Sequence, residues 1–221
     1  KRKRVKLVLI RHGQTAANLS AALDTRLPGL PLTDLGQSQA LSLSERFSKE
    51  VGDRLDALTV SAMTRTRQTA APLCERYGVK PLVSAQIREV SAGDFEMSSS
   101  PVAIRVYVEA CYAWMNANFA HRMPGAEDGY EFLGRVVPII RDVMERAYLS
   151  GGDEGVGGIV AHGGLIRVLS AVLSEDIRLG VNPTQFMSNT GMAVFEANID
   201  EFRQLRIGEV ANLKALSWDG H

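Results

Sequence analysis

VKLVLIRHGQTAANLS, residues 5–20, opens with a run whose apolar residues barely alternate with polar ones, then delivers Arg11, His12 and Gly13 in succession. Such a run reads as a strand covered on both faces, the pattern of a parallel sheet held between layers of helix. Arg11 and His12 therefore stand where the strand leaves the core. In an open α/β sheet that carboxyl edge is where ligands bind.

Working outward, the chain alternates strand and helix. PLTDLGQSQALSLSERF (31–47) has Thr33 as N-cap and sets Leu35, Leu43 and Phe47 along one helical face. ALTVS (57–61) reads as a second buried strand, followed by a helix from Met63 to Tyr77 with Gly78 as its stop. Pro72 is expected to kink or split that helix. After PLVS the chain is irregular from Gly93 to Ser100, and Pro101 then opens a helix expected over residues 102–119. DGYE (128–131) resembles a capping box for another helix carrying Phe132, Val136, Ile139, Ile140 and Val143. GIVAH (158–162) reads as a third buried strand feeding a helix near Gly164, with MAVFEA (192–197) and RQLRIG (203–208) closing the sheet. The expectation is one α/β domain over 1–221, a mostly parallel sheet with helices on both faces.

The 221 residues carry 25 Lys+Arg against 25 Asp+Glu, so no overall field recruits nucleic acid or anionic lipid. KRKR at 1–4 is the one dense basic run and reads as a solvated terminus. The apolar stretch behind it is too short for a signal peptide, and none elsewhere is long enough to span a membrane. Cys74 and Cys111 lie far apart, as in a reduced, cytoplasmic protein. The four histidines are scattered without ligand spacing, so neither a metal nor a cofactor is expected. Gly155, Gly157 and Gly158 fit neither a dinucleotide fingerprint nor a P-loop.

Two strands end alike, in VLIRHGQT and GIVAHGGLIR, each bringing a histidine and then glycine to a helix start. A third, TVSAMTRTRQTA, places Arg65 one helical turn beyond Ser61. Singly these signals are ordinary. Together, two arginines, two histidines and amides exposed by glycine describe a pocket for a phosphoryl group.

These blocks resemble the histidine phosphatase superfamily, also called phosphoglycerate mutase-like. Its R-H-G-x-T-x-x-N signature is matched by Arg11, His12, Gly13, Thr15 and Asn18, and its L-T-x-x-G-x-x-Q-A stretch by Leu32, Thr33, Gly36, Gln39 and Ala40. SAMTRTRQTA, IREVSAGDFE and VAHGGLIR follow in family order, so the resemblance spans residues 7 to about 197. It implies that His12 is the nucleophile, becoming a phosphohistidine. It assigns Arg11, Arg65 and a protonated His162 to the phosphoryl oxygens, with Asn18 and Gly163 in the same pocket. Glu89 becomes the proton donor to the leaving oxygen.

Met97 stands where the family's acid segment commonly has glycine, so residues 94–130 are expected to form a differently shaped insertion covering the substrate. PGAEDGYE suggests that Glu127 borders the pocket, with His121 and Arg122 as candidates for the substrate's non-phosphate end. Asn189 and Thr190 are further candidates for its border. The resemblance implies a metal-independent phosphatase of a small phosphorylated metabolite. The alternatives are a phosphoglycerate mutase, whose R-H-G-x-S-x-W-N and G-W-x-D stretches are missing here, and an inactive binding module, which would be expected to have lost one of these residues.

Overall fold

A computed structural model describes residues 3–220, so Lys1 and Arg2 of the basic run lie outside the described residues. Six strands form one sheet: β1 (Arg4–Arg11), β2 (Ala57–Ser61), β3 (Leu82–Ser84), β4 (Val156–Ala161), β5 (Met192–Asn198) and β6 (Lys214–Trp218). Their order is β3-β2-β4-β1-β5-β6. The first four run parallel, while β5 pairs antiparallel with both β1 and β6. The sheet is mostly parallel, as its first strand implies.

β1 lies between β4 and β5 and is buried on both faces. Val5, Leu7 and Leu9 join the core under α4 (Pro101–Met115), α5 (Gly129–Gly151) and α6 (Gly163–Leu173). Val8 and Ile10 point the other way, against Leu43 and Phe47 of α2 (Asp34–Glu50) and Leu73 of α3 (Thr64–Tyr77). α6 is buried along its whole length, which explains the nearly continuous apolar run after Gly164. Short helices α1 (Ala16–Ser20), α7 (Glu175–Gly180) and α8 (Ile199–Gln204) complete the chain.

Thr33 caps α2 through Gly36 N–H, and the Asp128–Glu131 box caps α5. Four expectations are corrected. RQLRIG is not a strand: Asn198 accepts from the N–H groups of Asp200 and Glu201, and Ile199 and Phe202 bury at helical spacing, so α8 forms and β6 comes later. α3 is not split at Pro72. α4 ends at Met115 rather than 119, because Ala117 takes a left-handed φ of 63° and turns Phe119 back into the core. Leu35 stays exposed, in the first turn of α2. Among the described residues no helix is long and apolar enough to cross a membrane.

Candidate active site

Parallel pairing of β1 with β4 sets Arg11 opposite Ala161, so His12 and His162 leave the sheet side by side, their ring centroids 5.5 Å apart. β2, on the other flank of β4, delivers Ser61, and the first turn of α3 swings Arg65 over the same edge. The cleft above has a volume of about 310 Å³, with Arg11, His12, Asn18, Arg65, Glu89 and Gly163 in its lining.

His12 is buried, and its Nδ1 lies 2.6 Å from the Gly13 carbonyl oxygen. A carbonyl only accepts, so Nδ1 carries the proton and Nε2 keeps its lone pair. Burial, reinforced by Arg11 and Arg65, pushes the pKa of His12 well below the ordinary histidine value. The ring is therefore held neutral, with the lone pair of Nε2 free. Gly13 is needed here because a Cβ would fall 2.6 Å from the Gly36 carbonyl oxygen, where the loop after β1 interlocks with the start of α2.

His162 is fully buried and held as the opposite tautomer. Its Nε2–H donates to Ser61 Oγ at 2.8 Å, and its Nδ1 accepts from Arg65 Nη2 at 3.2 Å. Burial, then Arg65 and His12, hold its pKa well below the usual value. The expectation of a protonated His162 is thus corrected to a neutral ring.

Arg65 also donates to Asp24, through Nη2 to the backbone oxygen at 2.7 Å and through Nη1 to Oδ2 at 3.4 Å. Arg11 donates from Nη1 to the Met187 carbonyl, and its buried Nε has no protein partner. A Cβ on Gly163 would come within 3.0 Å of that Nε, so glycine clears room for the guanidinium.

Glu89 sits on the N-terminus of α6. Its Oε1 accepts from the N–H groups of Val90 (2.7 Å) and Leu165 (2.8 Å), and its Oε2 from Gly164 N–H (3.0 Å). A carboxylate has about four lone-pair sites, so Oε2 keeps one for a proton. Gly164 is required too, since a Cβ there would lie 2.9 Å from Glu89 Oε1 and 2.7 Å from Tyr107 Oη. The two glycines after His162 thus make way for an arginine and a carboxylate.

Asn18 closes the capping box of α1, its Oδ1 accepting from Thr15 N–H at 2.9 Å. Asn189 and Thr190 lie behind it, both donating to the His12 carbonyl. Besides His162, Asn189 and Thr190, three further candidates lie outside the cleft lining: His121, Arg122 and Glu127. Arg122 is exposed and paired with Glu131 and Asp128, while the His121 carbonyl accepts from Trp114 Nε1. Glu127 is bound bidentately by Arg135, at 2.6 and 2.9 Å. Arg135 in turn donates to the carbonyls of Gln86, Arg88 and Glu89. Sequence reasoning missed Asp24, Tyr107 and Arg135, none of which sits in a recognisable motif. Among the described residues no three His, Cys, Asp or Glu side chains group where they could hold a metal ion.

The sequence model of the histidine phosphatase superfamily (branch 1) matches residues 7–210. A glucosyl-3-phosphoglycerate phosphatase of Mycobacterium tuberculosis (strain CDC 1551 / Oshkosh) is 32% identical over 173 residues, 76% of this chain and 74% of its own. A 2,3-bisphosphoglycerate-dependent phosphoglycerate mutase of Methylobacterium sp. (strain 4-46) is 29% identical over 172 residues, covering 76% and 79%. Among solved structures, a mycobacterial glucosyl-3-phosphoglycerate phosphatase complexed with VO3 aligns over 99% of both chains, at 26% identity and a TM-score of 0.73. With its signature residues gathered at one sheet edge and the family match running through nearly all of its length, this chain belongs to the histidine phosphatase superfamily.

Proposed function

We propose that this protein hydrolyses phosphate monoesters of small metabolites through a phosphohistidine on His12. The observation that carries the reading is the Nδ1–Gly13 bond, which leaves a neutral imidazole with Nε2 as the nucleophile between two guanidiniums. In the first step Nε2 forms a bond to phosphorus while the ester P–O bond breaks, and Glu89 gives its proton to the departing alcohol oxygen. In the second, water attacks phosphorus, its proton passes to Glu89, and the N–P bond breaks to release phosphate. Arg11 and Arg65 meet the charge on the phosphoryl oxygens throughout, the chief demand of phosphoryl transfer.

A phosphoramidate is acid-labile and base-stable, unlike a phosphoserine or an acyl phosphate. Enzyme quenched during turnover should carry phosphoryl label with that stability, and His12→Ala should lose both label and turnover. Label that persists in His12→Ala overturns the assignment. The same experiment with 3-phosphoglycerate and 2,3-bisphosphoglycerate separates the mutase alternative, since a mutase would isomerise the substrate with little phosphate release.

A further inference from the structure

We infer that the alcohol half of the substrate is uncharged and apolar, rather than an acid or a second phosphate; this deepens the phosphatase reading and rests on it. Arg11 and Arg65, beside His12, are the cations that line the cleft, and the proposed mechanism assigns both to the phosphoryl group. The other charged side chains in the lining, Asp24 and Glu89, are acidic, and Asp24 already shares Arg65.

Ala21, Ala22 and Leu23 after α1, Ile104 and Val108 on α4, and Phe186 form the apolar part of the wall. Ile104 and Val108 are one helical turn apart, so they present a continuous stripe. The Leu23 segment is fixed against the chain beyond Phe95: its N–H donates to the Ser98 carbonyl and its carbonyl accepts from Met97 N–H, at 3.0 and 2.8 Å.

Other cations stand outside the lining: Arg122 pairs with Glu131, Arg135 is locked on Glu127, Arg26 reaches the Gly93 carbonyl, and Arg105, next to Ile104 on α4, is exposed. A carboxylate pressed against this wall would lose water, gain no partner and face Asp24 and Glu89. An alkyl chain would lose only its contact with water, a gain. The volume, near the lower end of small-molecule sites at about 300–1,000 Å³, suits a short chain or one small ring.

The test is kcat/KM for ethyl phosphate, hexyl phosphate and 5-carboxypentyl phosphate, which matches hexyl phosphate in length and ends in a carboxylate. Hexyl phosphate should exceed each of the others by about 10-fold or more, the scale on which apolar pockets discriminate. Ile104→Lys and Val108→Lys each add a cation to the wall and should shift the carboxypentyl-to-hexyl ratio upward by about 10-fold or more; two independent variants guard against one that folds poorly. Equal or better hydrolysis of the carboxypentyl ester by the wild type overturns the inference and leaves the phosphatase reading standing. Phosphate release from none of these, nor from p-nitrophenyl phosphate, overturns the phosphatase reading itself.

Discussion

In the proposed mechanism a single carboxylate, Glu89, both holds a backbone and moves a proton. Three N–H donors fix it, and the lone pair left on Oε2 is where a proton can reside. Glu89→Gln keeps the shape, replaces one acceptor oxygen with an NH₂ group and removes the acid. An alkyl phosphate must expel a basic alkoxide and depends on that acid, whereas p-nitrophenyl phosphate expels a stable phenolate. Phosphorylation of His12 should therefore slow by about 100- to 10,000-fold for alkyl esters, the usual range for general acid catalysis, and far less for the aryl ester. A single-turnover measurement of that step with both esters is the check, because loss of the base in dephosphorylation masks the contrast in steady state. Equal slowing would make another group the proton donor.

Between elements, α5 grips the segment that carries Glu89 through one side chain. Arg135 is almost buried, makes a two-pronged pair with Glu127, and donates to the carbonyls of Gln86, Arg88 and Glu89. Glu127 thus acts through Arg135, and Arg135 is a positioning residue for the proposed acid. Arg135→Ala strands the Glu127 carboxylate, a loss of about 3–5 kcal/mol for a broken buried pair. Arg135→Lys keeps the charge without the fork and should fold better. In Arg135→Lys, alkyl esters should lose kcat by more than the aryl ester with KM little changed; uniform loss for both would reduce Arg135 to a structural strut. This contact also marks where sequence reading stops. His12, Arg11, Arg65 and His162 are legible because each sits in a local motif at a strand end or helix start, and parallel pairing then brings the motifs together. Arg135 meets its carbonyls across 46 to 49 residues, and Arg65 meets Asp24 across 41, with no periodicity or spacing to announce either. RQLRIG differs from its expected strand for a related reason: its apolar residues suit a strand, but the Asn198 cap upstream commits the chain to helix as far as Gln204, and residues 205–208 turn before β6.

Over the whole molecule, the sheet edge that brings His12 and His162 together also removes both from water, at 3% and 0% exposure. Two imidazoles beside two guanidiniums are held neutral, so folding is linked to protons. An unfolded histidine titrates near about 6.5, and both folded values lie well below that. As pH falls through about 6.5, the unfolded chain binds protons that the folded chain excludes, so stability declines, by up to about 1.4 kcal/mol per pH unit for each histidine. The loss begins at the unfolded value and continues down to the depressed folded ones. Urea unfolding from about pH 7.5 to about 5.5 covers this window while most carboxylates stay ionised in both states. In phosphate-free buffer the wild type should lose stability steeply across it, and the double variant His12→Gln, His162→Gln should lose much less. Vanadate, able to mimic the five-coordinate phosphoryl transition state, should bind the folded chain and raise stability across the whole window. Equal slopes for wild type and double variant would mean that the two rings do not fold neutral, and the nucleophile would then need a separate base to free its lone pair.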